Sequence, residues 1–311
     1  MSDDVVRAEG VRILDRDDRV LVDGVDVCVP AGARVGVVGE SGAGKTLFAR
    51  ACLGLLPEGV HMAAGKVSLL GQDPMACGPA QLRGLLGCHV GYVPQNSVSY
   101  LHPGLKVLAQ ITDGYRTWHK VSRAEAKECA VELLGAVGIA DAARVLESYP
   151  GQLSGGMRQR VNIAMALMSS PELVVADEPT AALDAVTRIQ VASLLQRVCA
   201  ERGAALLMVS HDLPLVRRTC NSAIVMRKGR VVERGQAAEV LAHPSHPYTQ
   251  ALLSAVPHVG MPRDVRLPEY DETGTASGPR EEGRGTIRSC RESASGMFSA
   301  TAPAACVRST A

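Results

Sequence analysis

Short, almost continuous apolar runs alternate along the chain with stretches in which apolar side chains recur every three or four positions. The runs at 33–38, 173–176 and 204–209 are rich in Val, Leu and Ala, which is typical of strands buried on both faces of a sheet. After the first run, Phe48 and Cys52 share one face of a predicted helix. Because strands and helices alternate, the pattern predicts an α/β core with a mainly parallel sheet.

The stretch from about 96 to 165 is mainly helical in its pattern. Ser122 and Glu125 have the spacing of a capping box, in which each side chain accepts a free backbone N–H at the start of a helix. The helix that they begin carries Val131, Leu134 and Val137 on one predicted apolar face and is expected to end near Gly138. The sequence therefore predicts a helical insertion into the α/β core over about 96–165.

The composition changes near residue 269. The remaining stretch, 269–311, consists largely of Gly, Ser, Thr, Ala, Arg and Glu and has few large apolar side chains. Such a segment buries too little surface to offset the entropy lost on ordering. We therefore predict a largely disordered tail over 269–311.

Charge and composition exclude several classes of protein. The formal net charge of the 311 residues is +1, which favours neither nucleic acid nor anionic lipid as a partner. The first ten residues lack the apolar core of a signal peptide, and no apolar run approaches the ~20 residues of a membrane span. The nine cysteines are scattered without a C-x-x-C pair, so we expect mostly small buried side chains in a reducing cytosol.

The first candidate site is a glycine-rich stretch between a predicted strand and a predicted helix. It fits the pattern G-x-x-x-x-G-K-[ST], in which backbone N–H groups and the helix start surround phosphate oxygens. The alternative is a glycine-rich turn with an incidental lysine. Lys45 can bind the β- and γ-phosphate oxygens, and the Thr46 hydroxyl can bind Mg²⁺. The predicted nucleotide-binding residues are Gly39, Glu40, Ser41, Gly42, Ala43, Gly44, Lys45, Thr46 and Leu47.

A pair of carboxylates follows the second apolar run. Asp177 and Glu178 stand at the carboxyl end of a predicted buried strand, which is where open α/β sheets bind ligands. Asp177 suits Mg²⁺ coordination, and Glu178 suits a general base that acts on the attacking water. The alternative, a solvated acidic turn, is disfavoured by the phosphate-binding pattern in the same chain.

The stretch at 153–160, Leu-Ser-Gly-Gly-Met-Arg-Gln-Arg, resembles the LSGGQ signature of ABC (ATP-binding cassette) ATPases. Further landmarks of that family follow its order: Gln95 matches the Q-loop, 182–184 the D-loop and His211 the switch histidine. Together with the phosphate and acidic sites, these matches span 39–211. The chain is identified on them as a member of the ABC ATPase family.

The resemblance implies a P-loop NTPase fold with a mainly parallel sheet, an N-terminal antiparallel β subdomain and a helical insertion. It also implies that two such domains meet head to tail, with each ATP between one phosphate loop and the other domain's signature. Ser154 and the backbone of Gly155 and Gly156 would then bind the γ-phosphate held by the partner. Asp184 of the D-loop would also contact nucleotide.

The resemblance further implies roles in hydrolysis. Glu178, His211 and Lys45 would be the catalytic residues, with His211 holding the γ-phosphate and the water in line. The implied ligands of Mg²⁺ are Thr46, Gln95 and Asp177. The expected bound species are therefore ATP and Mg²⁺.

Two stretches resemble one branch of the family. The segment 149–167 around the signature, and the segment 246–257 with its His-Pro-Tyr start, look like the dipeptide/oligopeptide importers, in the first of their two ATPase types. The same branch includes nickel importers, so the solute stays open. The implied division is an ABC ATPase domain over 1–240, a C-terminal helix motif over 241–268 and the tail.

The importer resemblance implies a set of partners. They are a second ABC ATPase subunit, identical or different, two membrane permease subunits and, indirectly, an extracytoplasmic solute-binding protein. The chain would lie peripherally at the cytoplasmic face of the cell membrane, and no nucleic acid is expected. Two alternatives remain at this point: an ABC exporter cassette, and a soluble ABC ATPase that acts on DNA or ribosomes.

One departure from the family leads to a prediction. Many members carry an aromatic residue that stacks on adenine at the position corresponding to Val20, and this chain has only nine aromatic residues in all. We therefore predict weak selectivity for the base, so that ATP, GTP and CTP bind the purified protein with similar affinity in equilibrium titrations. An affinity for ATP far above the other two would contradict this.

Overall fold

A computed structural model of the chain describes residues 4–95, 100–181 and 183–255, and two short strands, Glu269–Tyr270 and Ala276–Ser277. The main body contains a six-stranded sheet and a three-stranded sheet. Their strands are, in chain order, β1 (Asp4–Leu14), β2 (Val20–Pro30), β3 (Arg34–Val38), β4 (His61–Leu69), β5 (Val90–Val93), β6 (Leu173–Asp177), β7 (Ala205–Ser210), β8 (Ser222–Arg227) and β9 (Arg230–Gln236).

Helices connect most of the strands of the six-stranded sheet, and a group of them intervenes between β5 and β6. A 3₁₀ turn, Pro150–Gln152, precedes the signature. The helices described are α1 (Lys45–Cys52), α2 (Pro79–His89), α3 (Val107–His119), α4 (Arg123–Ala136), α5 (Ala142–Glu147), α6 (Gly155–Leu167), α7 (Ala185–Arg202), α8 (Leu213–Thr219), α9 (Ala237–Val240) and α10 (Pro247–Ser254).

The six-stranded sheet has the order β5-β6-β7-β3-β8-β9. All neighbouring strands are parallel except β9, which pairs with β8 in the antiparallel sense. The three apolar runs of the sequence form the adjacent strands β6, β7 and β3, and every residue of β6 and β7 is buried. The predicted α/β fold with a mainly parallel sheet is therefore confirmed.

Alternate residues of the central strands enter different cores. Val174 and Met208 pack in a core with the helices, whereas Val175 and Leu207 pack in a second core with α1 and the three-stranded sheet. Full burial of such a side chain stabilises the fold by about 1.5–3 kcal/mol. Because strand residues alternate between the two faces, each central strand holds both layers together.

The three-stranded sheet, in the order β2-β1-β4, is antiparallel and covers one face of the central sheet. Its inward side chains, among them Ile13 and Val25, are fully buried and pack in the same core as Phe48 of α1. This is the N-terminal antiparallel subdomain that the family resemblance implied. It encloses α1, the helix that follows the phosphate loop.

The predicted capping box at the start of α4 is present. The Glu125 N–H donates to Ser122 Oγ at 3.2 Å, and the Ser122 N–H donates to Glu125 Oε2 at 2.8 Å. The predicted apolar face is partly wrong, because Leu134 is fully buried whereas 39% of Val131 is exposed. Two small residues, Ala126 and Ala130, occupy the buried face, and alanines give little signal in an apolar pattern.

The C-terminal part is described only in pieces. After β9, α10 begins within the His-Pro-Tyr stretch, as the resemblance implied. Most of the predicted tail, 269–311, lies outside the described residues, although two short strands pair within it. The division of the chain at residues 240 and 268 stays a prediction.

Two compositional expectations can be compared with the described residues. None of the helices in these parts of the chain is long and apolar enough to cross a bilayer. The expectation that most cysteines are buried is wrong here: Cys52, Cys199 and Cys220 are buried, Cys28 is exposed, and three others are half-buried.

Candidate functional site

The phosphate loop connects β3 to α1, and close backbone contacts explain its glycines. Gly39 has a φ of 151°, and a Cβ at this position would lie 2.2 Å from the Met226 carbonyl oxygen. Gly44 has a φ of 94°, and its Cβ would lie 3.0 Å from the Leu21 carbonyl oxygen. Both positions therefore need a residue without a side chain.

Lys45 is the first residue of α1, and its side chain turns back into the loop. Its ammonium donates to the carbonyl oxygens of Gly39, at 2.9 Å, and Glu40, at 2.8 Å. Burial lowers the pKa of Lys45, while the carboxylates of Glu178 and Asp177 oppose this change. The loop thus holds a buried lysine beside the acidic pair.

The Asp177 carboxylate, 2% exposed, is held from two sides. Thr46 Oγ1 donates to Asp177 Oδ1 at 2.8 Å, and the Tyr92 hydroxyl donates to Asp177 Oδ2 at 3.1 Å. Burial, with the nearby Asp177 charge, raises the pKa of Tyr92 to about 12, so the hydroxyl stays a donor. Sequence reasoning missed Tyr92, although its place on the strand just before Gln95 was a usable signal.

Glu178 and His211 are in direct contact. His211 Nδ1 lies 2.7 Å from Glu178 Oε2, and since a carboxylate only accepts, Nδ1 carries the proton in this contact. The Glu178 side chain is 10% exposed, whereas that of His211 is 56% exposed. Glu178 has a φ of 48°, in the left-handed region, and its N–H donates to the Val209 carbonyl at 2.9 Å. Such backbone conformations in non-glycine residues are frequent at functional sites.

Lys45, Thr46, Glu178 and His211 line one cleft of about 580 Å³ between the phosphate loop and the carboxyl ends of the strands, whereas Gly39, Glu40 and Asp177 are not among its lining residues. The predicted residues that line it are Ser41, Gly42, Ala43, Gly44, Lys45, Thr46, Leu47, Gln95, Glu178 and His211. Leu21 also lines the cleft, whereas Val20 does not. Both residues are aliphatic, so neither offers an aromatic ring to the base.

The signature residues lie outside this cleft. Ser154 caps α6, where its Oγ accepts the Met157 N–H at 3.3 Å, and both Ser154 and Gly155 are exposed. A Cβ at Gly156 would lie 3.5 Å from Thr187 Cγ2, so the start of α6 is close to the start of α7. The structure therefore does not bring the signature to the phosphate loop of its own chain.

Asp184, the predicted D-loop residue, caps α7. Its Oδ1 accepts the N–H groups of Val186, at 3.1 Å, and Thr187, at 3.0 Å. Hydrogen bonds from the Thr187 side chain and backbone lower the pKa of the Asp184 carboxyl. Asp184 does not line the cleft of its own chain, and the helix that it caps begins beside the start of α6.

A salt bridge that the sequence did not indicate joins the D-loop to the histidine loop. Arg188 Nη1 donates to Asp212 Oδ2 at 3.2 Å, and Arg188 Nη2 donates to the Leu183 carbonyl at 3.4 Å. Asp212 also caps α8 by accepting the Leu215 N–H at 3.0 Å. The backbone that carries His211 is thus fixed to the start of α7.

Oxygen atoms of Thr46, Asp177 and Gln95 fit a magnesium site. The Thr46 hydroxyl and the Asp177 carboxylate are adjacent, and Gln95 lines the same cleft. Mg²⁺ binds one or two protein oxygens and completes its shell with water and phosphate oxygens. Among the described residues, no group of three or more His, Cys, Asp and Glu side chains is placed to hold a metal ion.

A phosphate loop, a buried carboxylate pair and an antiparallel β layer on a parallel sheet define an ATP-binding cassette. Two family models match the chain: "ABC transporter" over residues 22–181, and "Oligopeptide/dipeptide transporter, C-terminal region" over residues 232–290. The chain belongs to the ABC transporter family.

Curated relatives agree with this assignment. The chain is 41% identical to a probable D,D-dipeptide transport ATP-binding protein, DdpD, of Escherichia coli, over 78% of this chain and 75% of that protein. It is 42% identical to a probable peptide ABC transporter ATP-binding protein, y4tR, of Sinorhizobium fredii, over 79% and 74%. It is 39% identical to the dipeptide transport ATP-binding protein DppD of Escherichia coli, over 78% and 74%.

Solved structures share the fold. The ATP-binding cassette MJ0796, in a dimeric post-hydrolysis state with ADP and Pi, has a TM-score of 0.66 at 25% identity, over 75% of this chain and 98% of that chain. CbiO1 from Clostridium perfringens has a TM-score of 0.69 at 24% identity, over 78% and 92%.

The close contact of Gly39 leads to a prediction. Gly39→Ala should lower the free energy of unfolding by about 1–3 kcal/mol and weaken ATP binding, because the new methyl group meets backbone that cannot rotate away. Urea denaturation and ATP titration measure the two effects. Gly135→Ala on α4 is the control, because its Cβ meets no atom within 4 Å. This substitution should raise the free energy of unfolding by about 0.5–1 kcal/mol. An unchanged free energy of unfolding of Gly39→Ala would contradict the close approach of Gly39 to the Met226 carbonyl.

Proposed function

We propose that the protein is the ATP-hydrolysing subunit of an ABC transporter that imports peptides or a related small solute. The observation that carries the ATPase part is the single cleft in which the phosphate loop, Gln95, Glu178 and His211 meet. The import part is supported by the peptide-transport names of relatives that are 39–42% identical and by the C-terminal match over 232–290. That match favours import over export.

Binding of ATP follows from the loop and the lysine. Backbone N–H groups of the phosphate loop and the start of α1 surround the phosphates, and the Lys45 ammonium neutralises charge on the β and γ groups. Thr46, Gln95 and Asp177 would hold Mg²⁺, which when bound would neutralise the negative charge that develops on the phosphates. Tyr92 keeps the Asp177 carboxylate oriented for this role.

Hydrolysis assigns separate tasks to Glu178 and His211. The Glu178 carboxylate orients the attacking water and accepts its proton as the new P–O bond forms and the bond to the ADP oxygen breaks. The exposed ring of His211 is free to move from Glu178 to the γ-phosphate when ATP is present. Before ATP arrives, their hydrogen bond keeps both side chains at the cleft.

A second cassette completes each site in this proposal. Ser154 and Gly155 are exposed and Gly156 is half-buried at a helix start, where N–H groups favour an anion, yet none of the three lines the cleft of its own chain. The related cassette MJ0796 has been solved as a dimer. We therefore assign these residues, and Asp184, to the nucleotide of a partner subunit, identical or different.

An apolar groove next to β5 is the proposed docking surface for the membrane subunits. Three of its large side chains are exposed: Leu55 by 44%, Tyr100 by 47% and Trp118 by 37%. The groove also contains β5, the strand that leads to Gln95, so an occupant can respond to the nucleotide. We propose two permease subunits as partners, a solute-binding protein acting through them, and a peripheral position at the cytoplasmic face of the membrane.

The ATPase assignment is tested by two substitutions. Glu178→Gln should reduce turnover by about 10²- to 10⁴-fold and retain ATP binding, because it removes the base but not the phosphate contacts. Lys45→Ala should abolish binding. The measurements are phosphate release and ATP titration, with the partner subunit present. Glu172→Gln, at the opposite end of β6 and paired with His89 at 3.0 Å, is the matched control. Unchanged turnover of Glu178→Gln would exclude Glu178 as the base.

The docking surface is tested by a charge in the groove. Leu55→Asp should reduce recovery of the permease subunits with the tagged protein at least about tenfold, because a buried unpaired carboxylate opposes the contact. Val131→Asp, at a similarly exposed valine on α4, is the control and should leave recovery unchanged. Equal recovery with both variants would show that the permeases bind elsewhere.

A further inference from the structure

Two hydrogen bonds join the phosphate loop to residues that come later in the sequence than any of the motifs at the cleft. The Glu40 N–H donates to the Tyr248 hydroxyl at 3.1 Å. The Gly229 N–H, in the turn between β8 and β9, donates to the Ala43 carbonyl at 3.1 Å. Two peptide groups of the loop are therefore bonded to the C-terminal part of the chain.

The start of α10 is anchored so that Tyr248 has a fixed position. Glu233 on β9 accepts the N–H groups of Ser245, at 2.7 Å, and His246, at 3.2 Å. His246 then caps the helix, because its Nδ1 accepts the Tyr248 N–H at 3.1 Å. The His-Pro-Tyr stretch is thus fastened to the edge strand of the main sheet.

The side chain of Tyr248 is also held in place, by burial and by a contact with Arg227. Tyr248 is 4% exposed, and the Arg227 guanidinium lies over its ring, 4.8 Å from the centroid. Arg227 directly follows Met226, whose carbonyl lies against Gly39. Burial raises the pKa of the Tyr248 hydroxyl, which therefore stays neutral. The ring and the loop therefore both pack against the end of β8.

A single peptide group links Tyr248 to the catalytic lysine. The N–H of Glu40 is bonded to Tyr248, while the preceding and following carbonyls, of Gly39 and Glu40, accept the Lys45 ammonium. Fixing this peptide group therefore fixes the position from which Lys45 meets the phosphates. A site held in its binding conformation before the ligand arrives binds more tightly.

We propose that Tyr248 is a positioning residue for the phosphate loop, through which the C-terminal segment sets the affinity for ATP. This role rests on the proposed ATP site. Tyr248 does not line the cleft, so it acts on the loop rather than on the nucleotide.

Tyr248→Phe is the sharpest test, because it removes the hydroxyl and keeps the ring. The loss of one hydrogen bond should raise the Kd for ATP, and the KM of hydrolysis, about threefold to tenfold, with kcat changed less than about twofold. The matched control on the same helix is Gln250→Ala, which removes the Nε2 hydrogen bond to the Pro244 carbonyl, of 3.0 Å, and leaves the loop untouched. Its Kd should equal that of the wild type.

The possible outcomes separate the two proposals. Wild-type protein that fails to bind ATP contradicts the proposed function. Wild-type binding that Lys45→Ala abolishes and Tyr248→Phe leaves unchanged contradicts only the positioning role. A loss of affinity in Gln250→Ala equal to that in Tyr248→Phe also contradicts it, because helix docking alone would then explain both.

Amide exchange decides the question if Tyr248→Phe does not fold. The Glu40 amide, resolved by NMR in the full-length wild type without nucleotide, should exchange at least about tenfold more slowly than in an unstructured peptide. Exchange at the rate of the unstructured peptide would show that the hydrogen bond is not formed, and would overturn the proposal.

Discussion

The buried ammonium of Lys45 makes the rest of the site possible. Asp177 ends β6 and Glu178 follows it, both buried, and two adjacent carboxylates are stable there only if positive charge and hydrogen bonds replace the water they have lost. Lys45 supplies the charge, and its carbonyl contacts in the phosphate loop keep it in place. The loop, the first turn of α1 and the strand that carries the carboxylates therefore form one electrostatic unit. When ATP and a divalent cation enter, they add both negative and positive charge to this unit.

Much of this arrangement is local in sequence, and this explains what could be predicted. The phosphate loop is a contiguous motif, and the buried strands are contiguous apolar runs, so both follow from short windows of sequence. Tyr92 lies just before Gln95 in the sequence, but its contact with Asp177 could not be predicted in this way, because Asp177 is on the neighbouring strand, 85 positions later. The salt bridge of Arg188 with Asp212 likewise depends on how two helices approach each other. The misplaced apolar face of α4 has another cause, since alanines contribute little to a pattern of large side chains.

Some parts of the site depended on family resemblance rather than physical reasoning. A Ser-Gly-Gly helix start is an anion site by its chemistry, but nothing in its sequence says which anion, or on which molecule. Its exposure and its distance from the cleft of its own chain agree with the resemblance, which assigned it to a partner's nucleotide. The role of the C-terminal helix could not be derived from its sequence either. Its motif indicated a branch of the family, and only the hydrogen bond between Tyr248 and the loop gives it a physical role in this chain.

The order of strands in the main sheet has a consequence for communication. The edge strand β5 borders the apolar groove, and the opposite edge strand β9 anchors the C-terminal helix, while the phosphate loop follows a strand between them. A hydrogen-bonded parallel sheet buried on both faces is among the stiffest parts of a protein. In the proposed function, a partner bound beside β5 and the C-terminal helix anchored on β9 would therefore be connected to the same phosphate loop through the strands of one sheet.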